Sequence, residues 1–125
     1  MESMHIPRYL DMMNQWLILK QEKKSIYSYI KKQGWKSVAI YGMAIYGRHV
    51  IRELKETDCI VMYGIDRKEM NEYEGIEIVK PTEKLSKVDA VINTVIYEHA
   101  AIEKILKNAL LCPVVSLEDI IYASY

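Results

Sequence analysis

The first candidate for chemistry is a glycine-bounded loop at residues 42–47, which reads Gly-Met-Ala-Ile-Tyr-Gly. In the dinucleotide-binding fingerprint Gly-x-Gly-x-x-Gly, the first glycine permits a tight turn. The second lets the backbone approach a pyrophosphate, and the third allows a helix to pack closely on a strand. Gly42 and Gly47 occupy the first and third positions, whereas Ala44 adds a methyl group at the middle one. The loop, Ile45 included, is therefore predicted to bind a nucleotide, although less tightly than an intact fingerprint would.

Two charged residues lie at positions that would contact such a nucleotide. Asp66 lies 24 positions after Gly42, close to the spacing at which an acidic side chain accepts hydrogen bonds from a ribose. Its alternative role is to cap the polar loop after the strand. Arg48 lies near the N-terminus of the predicted helix, where a guanidinium adds a phosphate contact to the helix dipole. The alternative for Arg48 is a side chain that simply reaches solvent.

Polar and aromatic side chains also gather at the predicted strand ends. Asn93 and Thr94 end a strand at the edge of the same crevice, where polar groups would face a bound ligand. Their alternative role is to end the strand and cap the next segment of the chain. Four of the ten tyrosines are candidates for the pocket wall: Tyr41, Tyr46, Tyr63 and Tyr97.

The histidines, serines and cysteines form no catalytic or metal-binding pattern. The three histidines share no metal-ligand spacing, and no Gly-x-Ser-x-Gly elbow surrounds a serine. Cys59 and Cys112 belong to no Cys-x-x-Cys pair, so both are expected to be reduced, buried thiols. The sequence thus predicts neither a catalytic residue nor a metal ligand.

The elements that must position these residues alternate between strand and helix. Apolar, β-prone runs predict five strands, at residues 38–41, 59–65, 75–79, 88–95 and 114–117. Helical patterns occur at residues 7–20, 25–33, 47–56, 98–108 and 117–122, and a short helix is predicted to start at 81–83. Apolar strands separated by helices indicate a parallel sheet covered on both faces, with the order 3-2-1-4-5. The predicted fold is a Rossmann-like α/β domain at residues 35–125, preceded by an N-terminal helical lead at 1–34.

Charge and hydropathy limit the classes of partner and the cellular compartment that the sequence predicts. The 17 basic residues balance the 17 acidic ones, so nothing favours a nucleic-acid partner. Residues 1–55 carry ten basic side chains against four acidic ones, and residues 56–125 carry seven against thirteen. Attraction of an anionic ligand, solvated helix faces and pairing between the halves each explain this asymmetry. No run approaches the ~20 apolar residues of a membrane span, and a cytoplasmic protein is expected.

Five segments carry a family resemblance: VAIYGMAIYGRHVIREL, VMYGIDR, YEGIEIV, VDAVINTV and CPVVSLEDII. Together they resemble the small bacterial Rossmann-like nucleotide-binding domains of polysaccharide-biosynthesis proteins, such as the N-terminal domains of sugar-nucleotide epimerases/dehydratases and of sugar acyltransferases. The resemblance implies that Gly42, Gly47 and Arg48 form the phosphate loop, from which Ala44 departs, and that Asp66 closes the second strand. It also implies a place in cell-surface polysaccharide assembly beside glycosyltransferases, without a specific step.

Three functional hypotheses follow from these patterns. The first is a noncatalytic domain that binds a nucleotide or nucleotide-sugar, with NAD(P) among the candidate ligands, in polysaccharide biosynthesis. The second is a protein–protein interaction module with a vestigial crevice, in which the apolar helix around Trp16 docks on a second copy or a glycosyltransferase. The third is an NAD-dependent sugar-nucleotide oxidoreductase that oligomerisation completes, because 125 residues are few for a two-domain enzyme.

Overall fold

A computed structural model describes residues 5–125 as a six-stranded sheet with helices on both faces. The strands are β1 (Ser37–Tyr41), β2 (Ile60–Ile65), β3 (Glu72–Tyr73), β4 (Ile76–Val79), β5 (Ala90–Asn93) and β6 (Val114–Ser116). The helices are α1 (Ile6–Gln21), α2 (Tyr27–Gln33), α3 (Ile45–Leu54), α4 (His99–Ala109) and α5 (Leu117–Ala123), with a 3₁₀ turn at Ile96–Glu98. None of the helices within these residues has the length and apolar character that crossing a bilayer requires.

Five of the strands are parallel and lie in the predicted order. β1 is central and pairs with β2 on one side and with β5 on the other, while β4 and β6 extend the sheet outward. The full order β3-β4-β2-β1-β5-β6 contains the predicted arrangement, with one strand added at an edge. The prediction of an α/β fold with a Rossmann-like parallel sheet is confirmed.

The added strand, β3, lies in a segment that the sequence pattern predicts to be a loop. Its two residues pair antiparallel with β4. The connecting residues Glu74 and Gly75 have φ angles of 49° and 81°, and positive φ at both turn positions suits the twist of a tight hairpin. A strand of two residues is too short to show an alternating apolar pattern, so periodicity does not detect it.

The short helix predicted at residues 81–83 is wrong, since the chain makes only a turn there. The Lys80 amide donates to Oε2 of Glu83 at 2.7 Å, and the Glu83 amide donates to the Lys80 carbonyl at 3.0 Å. These bonds close one turn, and the chain is then irregular up to β5. A single turn gains too few hydrogen bonds to offset the conformational entropy that helix nucleation costs. The other five helices lie within two residues of their predicted bounds.

The sheet separates two apolar clusters, and β1 contributes to both. Val38 and Ile40 belong to the cluster covered by α1, α2, α3 and α5, whereas Ala39 and Tyr41 join the cluster beneath α4. Such alternation is expected of a strand that is covered on both faces. The helical lead is part of the first cluster through five buried side chains: Met12, Trp16, Leu19, Ile26 and Ile30. The lead is therefore packed on the sheet and shares its core.

One buried carboxylate fixes the position of the lead. Glu53 of α3 accepts hydrogen bonds from the indole Nε1 of Trp16 at 2.9 Å, from the Ser25 hydroxyl at 2.9 Å and from the Ile26 amide at 2.8 Å. Its side chain is only 7% exposed, and the Lys20 ammonium lies 3.5 Å away. Because these donors come from α1 and from the start of α2, Glu53 ties both helices to α3. This arrangement places the first half of α1 over the carboxyl ends of the strands.

Candidate functional site

The loop that leaves β1 makes the tight turn that its two glycines predict. Gly42 has a φ of +88°, and a Cβ there would overlap the hydroxyl of Thr94. Gly47 lies on the inner face of α3, where a Cβ would overlap the carbonyl oxygen of Gly42. The glycine pair thus allows α3 to start directly against β1. Gly47 itself is buried behind the loop and does not line the pocket at the strand ends that is described below.

Thr94 and Asn93 hold the neighbouring strand end in place. The Thr94 hydroxyl lies within hydrogen-bonding distance of the carbonyls of Tyr41 and Gly42, at 2.9 and 2.8 Å. The fully buried side-chain amide of Asn93 accepts from the Val95 amide at 2.9 Å and lies 3.1 Å from Nδ1 of His99. Asn93 therefore turns the chain after four strand residues, so β5 is shorter than the predicted 88–95. Thr94 reaches the crevice, whereas Asn93 does not.

Asp66 is tied to the backbone on both sides. Its Oδ2 accepts from the Met43 amide at 2.8 Å, and its Oδ1 accepts from the Lys68 amide at 2.9 Å. The first bond fixes the glycine loop to the end of β2, and the second caps the polar loop, as the alternative assignment of Asp66 describes. The carboxylate lies on the crevice wall, but one lone-pair site of each oxygen is already occupied.

Arg48 turns away from the crevice. Its Nε donates to the Met43 carbonyl at 3.3 Å, and its guanidinium carbon lies 5.0 Å from the centre of the Tyr73 ring. This places the cation against an aromatic face beside α3. Arg48 therefore does not line the crevice.

A pocket of about 680 Å³ opens at the carboxyl ends of β1, β2 and β5. Five of the eight predicted ligand-binding residues line it together: Gly42, Ala44, Ile45, Asp66 and Thr94. The first amides of a helix have no acceptor within the helix, and no side chain in residues 5–125 caps those of α3. The pocket floor thus combines a tight glycine turn with an uncapped helix N-terminus.

Helix α1 forms the opposite wall through aromatic contacts that spacing does not predict. The Tyr9 ring stacks on Tyr46 with their centres 4.4 Å apart, and His5 stacks on Tyr97 at 3.8 Å. The Tyr9 hydroxyl donates to the Thr94 carbonyl at 2.9 Å and accepts from the Ile96 amide at 3.3 Å. Burial raises the pKa of Tyr9 to about 12, so this bridge stays protonated at neutral pH.

Among the four tyrosines predicted for the wall, Tyr63 lies elsewhere. Tyr41, Tyr46 and Tyr97 line the pocket, whereas the Tyr63 hydroxyl donates to the Ser86 carbonyl at 2.6 Å, in the core beneath α4.

Two cations complete the pocket at its β2 end. Arg67 and Lys68 both line it, and Nε of Arg67 donates to the hydroxyl of Tyr41 at 3.1 Å. The pocket also carries the carboxylates of Asp66 and Glu98, so its formal charges balance. The only sequence signal for the two cations is their place directly after Asp66, in a segment whose composition predicts a plain polar loop.

No family model, curated protein or solved structure matches the chain. In the part of the chain that the structure describes, no three His, Cys, Asp or Glu side chains gather as a metal site. The pocket itself offers backbone amides, aromatic faces, the cations of Arg67 and Lys68, and the carboxylates of Asp66 and Glu98.

Proposed function

We propose that the protein is a nucleotide-binding domain that holds a nucleotide or nucleotide-sugar and does not catalyse a reaction on its own. The observation that carries this proposal is the position of the pocket. The chain runs from β1 outward to β2 and β4, then returns to β5 on the other side of β1. In parallel α/β sheets, ligands bind at this switch point, outside the carboxyl ends of the strands.

The pocket wall supports a ligand with phosphate and ring components. The N-terminus of α3 favours an anion through its free amides and its dipole. Ile45 and Tyr97, which are 62% and 42% exposed, offer apolar surface to a base or sugar ring. A volume of about 680 Å³ lies within the range of pockets that enclose small ligands.

The pathway assignment rests on the sequence resemblance. Because the resembling domains belong to polysaccharide-biosynthesis proteins, we propose that the bound molecule is a precursor or cofactor of cell-surface polysaccharide assembly. NAD(P), a nucleotide-sugar and coenzyme A are the candidates to test.

Calorimetry with NAD⁺, UDP-glucose and coenzyme A tests the proposal when Ala44→Asp is compared with Ala100→Asp. Both substitutions add a carboxylate to an exposed position at the start of a helix, but only the first lies in the pocket. An acidic side chain there suits the helix dipole, so both variants are expected to keep their melting temperature.

We expect at least one probe to bind the unmodified protein and Ala100→Asp, and Ala44→Asp to lose that binding. If none of the three probes bound at millimolar concentration, or if Ala44→Asp bound as tightly as the control, the proposal would be wrong.

A second candidate, an interaction module, is favoured by exposed apolar side chains on α1. Ile6, Leu10 and Leu17 are 54%, 64% and 57% exposed, whereas Trp16 is 5% exposed and bonded to Glu53. A partner would therefore contact the first three residues and not Trp16. Sedimentation velocity of Leu10→Glu/Leu17→Glu against Ile105→Glu on α4 tests self-association. A monomeric unmodified protein would remove the dimer version of this candidate.

A further inference from the structure

We infer that the β2 end of the pocket binds a second anionic group of the ligand, a phosphate monoester on its ribose, through Arg67 and Lys68. This inference rests on the proposed nucleotide-binding function. It assigns Asp66 a positioning role, because both of its oxygens hold backbone amides. The expected ligand thus carries one phosphate group at the N-terminus of α3 and another at the end of β2.

Backbone amides on both sides hold the carboxylate of Asp66 in one orientation. Its two oxygens accept amides from opposite sides, Met43 in the glycine loop and Lys68 after the strand. Rotation of the carboxylate away from these amides would break at least one of the two bonds and free the loop, so any ligand contact must use the lone pair that remains on each oxygen. The two amides also offset its negative charge, so the carboxylate opposes a neighbouring anion less than a free one would.

The cations of Arg67 and Lys68 are available to bind an anion in the pocket. Arg67 and Lys68 are exposed side chains on the pocket wall. Within residues 5–125, no carboxylate lies within 4.0 Å of the charged nitrogens of either residue. Glu98, the other acid of the pocket, is therefore not their partner.

The guanidinium of Arg67 is held in place by one hydrogen bond, which leaves its other nitrogens free for a ligand. The bond from Nε to the Tyr41 hydroxyl at 3.1 Å fixes Arg67 above the end of β1, while Tyr41 itself is 4% exposed. The Nη groups remain to bind a phosphate in the bidentate manner that arginine favours. A basic residue at the end of the second strand is a known physical means of accepting a ribose phosphate.

Two ligand pairs that differ by one ribose phosphate test the inference: NADP⁺ with NAD⁺, and coenzyme A with dephospho-coenzyme A. The first pair reports a 2′-phosphate and the second a 3′-phosphate. By calorimetry at constant ionic strength, we expect the phosphorylated member of one pair to bind about tenfold more tightly or better, the size of one charge-assisted contact.

The variant Arg67→Gln/Lys68→Gln is expected to lose this preference while binding the unphosphorylated member as before. Lys84→Gln/Lys87→Gln removes the same charge from exposed residues outside the pocket and is expected to keep the preference. Equal affinities within both pairs would overturn the inference and leave the proposed function standing. A preference that survives in Arg67→Gln/Lys68→Gln would overturn the assignment to these two residues. Absence of all binding would overturn the proposed function itself.

Discussion

Gly42 and Gly75 share a backbone conformation but differ in their surroundings. Their φ angles are +88° and +81°, both in the left-handed region that favours glycine. A Cβ on Gly42 would overlap the Thr94 hydroxyl, whereas a Cβ on Gly75 would meet no atom within 4 Å. The requirement for glycine at position 42 therefore comes from the neighbouring strand end as well as from the backbone.

We expect Gly42→Ala to lower the free energy of unfolding by roughly 2–5 kcal/mol, because backbone strain adds to the displacement of Thr94. Gly75→Ala, the matched control, is expected to lose roughly 1–2 kcal/mol from strain alone. Urea unfolding of both variants measures the difference. Equal losses would show that Thr94 moves aside without cost and that the strand end does not constrain position 42.

Spacing in the sequence identifies some site residues and not others. Gly42 and Gly47 are identified because a tight turn and close helix packing need glycine at fixed positions. The hydrogen bond from the Met43 amide to the Asp66 carboxylate is not identified from the sequence, because the two groups meet only once the loop has folded. Tyr9 gives no signal, since it meets Thr94 across 85 residues of chain that no period relates.

At the level of elements, α1 depends on α3 through one acidic side chain. Glu53 accepts three hydrogen bonds from residues of the lead while 7% exposed. A buried carboxylate with three donors is stabilising only while all of the donors face an acceptor. The wall that α1 gives to the pocket therefore depends on a residue outside that pocket.

We expect Glu53→Gln to lower the free energy of unfolding by roughly 2–3 kcal/mol, because the new amide group turns a donor toward donors and removes a charge-assisted bond. Glu56→Gln, at an exposed position just after α3, is expected to stay within about 0.5 kcal/mol of the unmodified protein. Chemical denaturation measures both. A loss no larger than that of the control would show that the Glu53 bonds do not hold α1 in place.

The sequence predicts long elements better than short ones. Five helices are predicted because burial of one face imposes a helical period, and five strands are predicted because burial of both faces makes each of them an apolar run. Strand β3 is missed because two residues carry no period, and the helix at 81–83 is wrong because one turn lacks the packing that sustains a helix. The helical pattern of the N-terminal lead sets it apart from residues 35–125 in the sequence, yet the lead shares a core with the sheet.

Across the whole molecule, the basic and acidic halves of the sequence meet at two of the ion pairs. Arg8 lies 2.7 Å from Glu118, and Lys55 lies 3.9 Å from Glu74. Both pairs are solvent-accessible, so each contributes little to stability. The asymmetry of charge along the chain is thus partly offset by pairing in the fold, and no Lys or Arg among residues 5–55 lines the pocket.

We expect stability to decline in alkali because the thiol of Cys59 and the hydroxyl of Tyr63 lose their protons at a lower pH in the unfolded chain than in the folded protein. Burial raises the pKa of Tyr63 from about 10 to about 12 and that of Cys59 from about 9 to about 11. Stability is therefore full below about pH 9 and falls as the pH rises toward about 12. Unfolding followed from pH 8 to pH 12 measures the decline.

The variant Tyr63→Phe isolates one contribution to this decline, since it removes the titrating hydroxyl from the core. Its stability is expected to fall less steeply with pH than that of Tyr122→Phe, which changes an exposed tyrosine on α5. Identical slopes would assign the alkaline loss to other groups.

The packing of α1 against α5 has a consequence for how the protein matures. Helix α1 leaves the ribosome about a hundred residues before α5, although α5 is part of the surface that receives it. Until then α1, which carries the Tyr9 bridge to Thr94, lacks the part of its packing surface that α5 provides. A nascent chain halted before residue 117 should therefore fail to retain ligand, so ligand retention on stalled ribosomes would time the final closure of the domain.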